Sequence, residues 1–205
     1  MTTPHPPVDP ALPDLRTVRY GPGALMTPAN ALTIFRLVLS PALFLLILRH
    51  ESSWLTVGVW ALLASTDGAD GWLARRFGTT RSGAFLDPLA DKALVLGAMV
   101  ALVLTGTFWV VPVGLIMVRE VAISLFRSLL ARQGLAVPAR PLAKAKTFVQ
   151  ALAVGAALLP WTADYPMVAV SLLWFAVVLT LVSGAQYLID GRSAATTLGH
   201  RTAHA

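Results

Sequence analysis

Four aspartates, Asp67, Asp70, Asp87 and Asp91, are the residues of this sequence best suited to chemistry. They stand in the run Asp67-Gly68-Ala69-Asp70-Gly71-Trp72-Leu73-Ala74-Arg75 and, seven residues on, in Gly83-Ala84-Phe85-Leu86-Asp87-Pro88-Leu89-Ala90-Asp91. The 205-residue chain has only 10 Asp and Glu, and these four adjoin long apolar runs. Carboxylates beside hydrocarbon are costly and mark functional sites. On a helix, Asp67, Asp70, Gly71 and Ala74 fall at i, i+3, i+4 and i+7, which is one face; Gly83, Asp87 and Asp91 follow a four-residue step. Four carboxylates turned into one cavity repel, so they need cations or protons. Paired carboxylates hold hard divalent ions, and two such ions suit phosphoryl transfer. Gly71, Ala74 and Gly83 keep bulk off the polar face, and Arg75 can neutralise a pyrophosphate. The blander alternative is that the small residues only let helices pack closely.

The elements that must position these groups are membrane helices. Hydrophobic residues make up 56% of the chain and charged residues 13%, with a mean hydropathy of +0.70. That composition predicts an all-α integral membrane protein. The apolar runs divide into six transmembrane helices, near 29–49, 54–76, 85–105, 108–132, 144–163 and 166–189, each close to the ~20 residues a bilayer requires. Residues 1–24 read as a flexible cytoplasmic tail, with six of the 14 prolines in Met1–Gly23; it lacks the pattern of a cleavable signal. Residues 25–190 form the six-helix membrane domain, and 191–205 a polar C-terminal tail. The absence of cysteine excludes disulfides and thiolate chemistry. A net charge of +6, in so apolar a chain, reads as attraction to an anionic membrane surface and not to nucleic acid.

Lys and Arg set the orientation. Arg16 and Arg19 precede helix 1, while Arg75, Arg76, Arg81 and Lys92 flank the connection between helices 2 and 3. Arg127, Arg132, Arg140, Lys144 and Lys146 flank the connection between helices 4 and 5, and Arg192 and Arg201 follow helix 6. The opposite side holds Arg49 alone. By the positive-inside rule both termini, and the acidic cluster, face the cytoplasm.

Three further segments carry polar groups inside apolar helices. Asn30, Thr33 and Arg36 step by three along helix 1. Arg36 is expected to face the bundle interior, the alternative being a side chain snorkelling to the interface. Helix 4 contains Arg119-Glu120 and then Ser124 and Arg127. That pair reads as substrate-binding or as a buried tie between helices. Lys144, Thr147 and Gln150 share a face at the start of helix 5, with Lys146 beside them.

The pattern Asp67-x2-Asp70-Gly71-x2-Ala74-Arg75-x7-Gly83-x3-Asp87-x3-Asp91 resembles the signature of the CDP-alcohol phosphotransferase family at all eight positions. The resemblance spans about residues 25–150. It implies a homodimer of six-helix subunits with a cytoplasm-facing site for two divalent metals, Mg²⁺ or Mn²⁺, and displacement of CMP from a CDP-linked substrate by an alcohol. It further implies that Asp67, Asp70, Asp87 and Asp91 line the metal site, with Asp91 also the base. Asn30, Thr33, Asp70, Gly71, Ala74, Arg75 and Gly83 would border the CDP group.

Arg119-Glu120-Val121-Ala122-Ile123-Ser124 and Lys144-Ala145-Lys146-Thr147-x2-Gln150 resemble the patterns of phosphatidylglycerophosphate synthases within that family. The chain differs at Ala143, where glycine is usual, and at Gly68-Ala69, where aromatics are common. That likeness implies CDP-diacylglycerol as donor and sn-glycerol 3-phosphate as acceptor. Arg119, Lys144, Lys146 and Thr147 would hold the acceptor phosphate. Inositol phosphate or phosphatidylglycerol are alternative acceptors for the same chemistry, and a cation-coupled transporter is the alternative of another class. No inverted repeat favours a transporter, since the helix 2–3 motif has no counterpart in helices 4–6.

Overall fold

The computed structural model describes residues 28–50, 52–77, 83–132 and 141–202. Side-chain surroundings are not described for 28–30, 50, 67–77, 83–88, 127, 130–132, 141, 143–144, 163 and 190–202. The N-terminal segment 1–24 and the connections 78–82 and 133–140 lie outside the described residues. The described chain is helical throughout: α1 Pro28–His50, α2 Trp54–Phe77, α3 Gly83–Leu104, α4 Val110–Arg132, α5 Pro141–Leu158, a 3-10 turn Pro160–Ala163, and α6 Pro166–Thr202.

Local sequence explains most of the boundaries. Proline opens α1, α5, the 3-10 turn and α6, where its missing N–H is no loss. Ser53 caps α2: its Oγ accepts from the Thr56 backbone N–H at 3.1 Å and pairs with Thr56 Oγ1 at 2.8 Å. Gly106, at φ 81°, turns the chain between α3 and α4, with the Phe108 N–H donating to the Leu102 carbonyl at 3.0 Å. Residue types other than glycine are strained at that φ. Two ends differ from expectation. Pro160 stops α5 at Leu158, short of 163, because it cannot donate the next helical hydrogen bond. Beyond 189, α6 continues through the polar segment to Thr202 without a break.

The helices bury polar groups and expose apolar ones. Thr33, Arg36, Ser40, Thr66, Arg119, Glu120, Lys146, Gln150, Thr180 and Ser183 are all buried. Val38, Leu55, Val118, Phe148, Met167 and Phe175 are among the many large apolar side chains left exposed. A water-soluble domain would have to hide a surface of this kind, whereas lipid covers it without penalty. A smaller apolar core sits between the helices, around Leu43, Leu94, Met99, Ile116, Val154 and Leu173.

Among the described residues, two stretches are long and apolar enough to cross a membrane by length and composition, Ala31–Arg49 and Pro166–Ile189, each with a mean hydropathy of 2.3. Trp54–Thr66 and Ala145–Leu158 are shorter apolar stretches. The acidic run in α2, Asp87, Asp91 and Lys92 in α3, Arg119-Glu120 in α4 and the lysines opening α5 interrupt the other apolar windows. Trp54, Trp109, Trp161 and Tyr165 are exposed and stand at or just before helix starts or in the 3-10 turn. Trp54 and Trp161 meet edge to face at 5.6 Å. α1 packs against α2 and α3, α5 against α2, α3 and α6, and α4 against α3 and α6.

Candidate active site

The acidic motif is divided between two helices. Asp67 and Asp70, with Gly71, Ala74 and Arg75, occupy the C-terminal half of α2; Gly83 opens α3, and Asp87 and Asp91 follow at one-turn spacing. The backbone therefore puts each aspartate pair on one helix face, as the sequence requires. The side chains of Asp67, Asp70, Gly71, Ala74, Arg75, Gly83 and Asp87 lie outside the described ones, as do those of Asn30 in α1 and Lys144 in α5. Asp91 is half-buried. Among the described residues no three His, Cys, Asp or Glu side chains form a metal-binding group.

Arg36 faces the interior, as expected, with no exposed surface. Its Nε donates to Thr66 Oγ1 at 3.2 Å, and Thr66 Oγ1 donates to the Leu63 carbonyl at 2.6 Å. Ser40 Oγ donates to the Arg36 carbonyl at 2.7 Å. Arg36 thus ties α1 to α2 at the residue before Asp67. Thr33, one turn away, is also buried.

A polar cavity of about 140 Å³ gathers Asp91 and Lys92 from α3, Arg119, Glu120 and Ser124 from α4, Lys146, Thr147 and Gln150 from α5, and Tyr187 from α6. Three predicted acceptor-site residues, Arg119, Lys146 and Thr147, therefore line the same cavity as the predicted base. Glu120 is the hub. Its Oε1 accepts from Arg119 Nη1 at 2.9 Å and from Lys146 Nζ, and its Oε2 lies 3.7 Å from Lys92 Nζ. Lys92 Nζ also donates to Ser124 Oγ, which donates to the Glu120 carbonyl at 2.6 Å. Cations from three helices converge on one carboxylate, so the Arg119–Glu120 pair is more than a tie between two helices.

Helix α6 supplies the part that sequence reasoning missed. Ser183 Oγ accepts from Arg119 Nη2 at 2.8 Å. A Cβ at Gly184 would lie 3.0 Å from Arg119 Nε, so the guanidinium lies against bare backbone there. One turn away, Thr180 Oγ1 accepts from Gln150 Nε2 at 3.1 Å. The available signal was Thr180, Ser183 and Gly184 at helical spacing inside an otherwise apolar span. Lys92 was read as an orienting charge only, though it follows Asp91 directly.

An apolar groove of about 670 Å³ runs between α1, α3 and α4, past Phe44, Leu48, Gly97, Val100 and Met117. It shares Lys92, Glu120 and Ser124 with the polar cavity, so the two spaces adjoin.

The model of the CDP-alcohol phosphatidyltransferase family matches residues 26–182, which reaches into α6. The chain is 40% identical over 168 residues to the probable phosphatidylglycerophosphate synthase of Mycobacterium tuberculosis, covering 78% of this chain and 79% of that one. It is 39% identical over 166 residues to the CDP-diacylglycerol–glycerol-3-phosphate 3-phosphatidyltransferase of Haemophilus influenzae, covering 77% and 89%. To the Bacillus subtilis protein of the same description it is 36% identical over 181 residues, covering 77% and 91%.

Proposed function

This chain belongs to the CDP-alcohol phosphatidyltransferase family, and from that premise we propose that it transfers the phosphatidyl group of CDP-diacylglycerol to sn-glycerol 3-phosphate. The products are phosphatidylglycerol phosphate and CMP. The observation that carries the acceptor is the cavity in which Asp91 shares a wall with Arg119, Lys146 and Thr147. The relatives from Haemophilus influenzae and Bacillus subtilis are named for this donor and this acceptor.

The residues divide by task. Arg119, Lys144, Lys146 and Thr147 hold the acceptor phosphate, a dianion matched by fixed cations and a hydroxyl donor. Asp91 takes the proton from the attacking hydroxyl. The hydroxyl oxygen bonds to the lipid-side phosphorus, the bond from that phosphorus to the CMP oxygen breaks, and CMP leaves. Asn30, Thr33, Asp70, Gly71, Ala74, Arg75 and Gly83 border the CDP group. The donor set fits hard cations: four carboxylates in two same-face pairs, one of them, Asp91, on the wall of the polar cavity. Asp67, Asp70, Asp87 and Asp91 would hold two divalent ions, Mg²⁺ or Mn²⁺, which when bound polarise the pyrophosphate and neutralise its charge.

The membrane arrangement follows the same logic. Six spans with both termini in the cytoplasm place the site at the cytoplasmic face of the cell membrane, where soluble glycerol phosphate meets lipid. The Lys and Arg distribution supports that orientation; the exposed tryptophans Trp54 and Trp109 suit an interface on either side. The groove adjoining the cavity accepts an acyl chain of the donor, and the working unit is a homodimer. An acceptor panel tests the reading. With CDP-diacylglycerol and Mg²⁺ or Mn²⁺, CMP release should depend on sn-glycerol 3-phosphate. Release with inositol phosphate or phosphatidylglycerol instead would replace the acceptor and keep the chemistry. No release with any alcohol would sink the reading.

A further inference from the structure

We propose that Glu120 is a positioning residue for the acceptor phosphate: its carboxylate assembles Lys92, Arg119 and Lys146 into one cationic array that a phosphate dianion then engages. The inference rests on the acceptor reading above and extends it to a residue and a cation, Lys92, that the motif does not assign.

The geometry argues for an array. Glu120 is 5% exposed, and its two oxygens face cations from α3, α4 and α5. A tie between two helices needs one cation; three of like sign drawn to one point repel, and two of them, Arg119 and Lys146, are buried. Buried charge in excess of its counter-charge is unfavourable unless something else neutralises it. The cavity wall carries three cations against the carboxylates of Glu120 and Asp91. Among the described residues that is one cation more than the two carboxylates balance. Arg119 Nε is buried without a hydrogen-bond partner. A small dianion entering this cavity supplies counter-charge to the clustered cations, and a neutral alcohol supplies none.

The two anchors explain how the array is held while empty. Arg119 is fixed by Ser183 and Glu120, and Lys92 by Ser124 and Glu120. Without the carboxylate, the buried cations are driven apart or out of burial, and the phosphate meets a scattered set of charges.

The test uses the full-length protein in detergent or lipid, with Glu120→Gln to remove the charge at constant shape and Glu120→Asp to keep the charge. Glu120→Gln is expected to raise KM for sn-glycerol 3-phosphate at least tenfold while KM for CDP-diacylglycerol stays within twofold. Glu120→Asp should recover part of the loss. Calorimetric titration with sn-glycerol 3-phosphate, and with glycerol as control, gives a second reading in which the variant binds the phosphate at least tenfold more weakly. An unchanged KM overturns the proposal. So does a parallel rise in both KM values with a lower melting point and no recovery by aspartate, since that pattern belongs to a merely structural group. If the unaltered protein binds sn-glycerol 3-phosphate but releases no CMP with it, the acceptor reading falls, and the array is judged by the binding ratio. If it does not bind it at all, both fall.

Discussion

Gly184→Ala separates the geometry of the acceptor site from the stability of the helix that supports it. The new Cβ would stand 3.0 Å from Arg119 Nε and 3.4 Å from its Cγ, so the guanidinium must give by about 0.4 Å to reach ordinary contact. Its two outer nitrogens are committed to Glu120 at 2.9 Å and to Ser183 at 2.8 Å. A shift of that size takes both bonds toward the ~3.2 Å limit of good geometry. Hydrogen bonds to charged groups contribute ~1.5–3 kcal/mol each, so partial weakening of two costs roughly 1 kcal/mol of the seating that holds Arg119 in place for the phosphate. That corresponds to a rise of roughly fivefold in KM for sn-glycerol 3-phosphate. The same substitution favours helix by up to ~1 kcal/mol, which offsets that loss, so the melting temperature should hold. Steady-state CMP release, with each substrate varied in turn, measures both KM values, and a thermal melt in the same detergent measures stability. An unchanged KM for the acceptor would refute the seating of Arg119 on α6. So would equal changes for both substrates accompanied by a lower melting temperature.

Other changes probe the remaining parts. Asp91→Asn should lower turnover by roughly 10²- to 10⁴-fold, the usual contribution of a general base, while CDP-diacylglycerol binding measured by filtration or calorimetry stays within twofold. Chelation with EDTA should abolish CMP release, and adding back Mg²⁺ or Mn²⁺ should restore it. Arg36→Ala removes a fully buried side chain and its bond to Thr66, so it should destabilise the fold by about 2–4 kcal/mol, read as a lower melting temperature. Because the chain has no cysteine, single cysteines at Thr107 and Ala205 should label with an impermeant reagent from opposite sides of a sealed vesicle.

Unbroken apolar runs made the helices legible: the starts expected at 29, 54 and 166 fall at Pro28, Trp54 and Pro166. Arg36 was legible because an arginine within an apolar run has few places to go but inward. The end of α5 was misjudged because an apolar run passes through Pro160, whose backbone chemistry outweighs hydropathy. The role of Glu120 was only half legible. Its neighbour Arg119 is visible in sequence, but the arrival of Lys92 and Lys146 depends on the rotation of α3 and α5 about their axes. Ser183 and Gly184 gave only a faint signal for the same reason: a serine and a glycine in a lipid-length helix acquire meaning only when Arg119 is laid across them.

The most direct test of the account follows radiolabelled sn-glycerol 3-phosphate in a reaction of the purified protein with CDP-diacylglycerol and a divalent cation. The account predicts that label passes into a lipid extractable by organic solvent and identified by mass as phosphatidylglycerol phosphate, with one CMP released per label transferred. Label that stays wholly in the aqueous phase while CMP is released to another alcohol, or is not released at all, would contradict it.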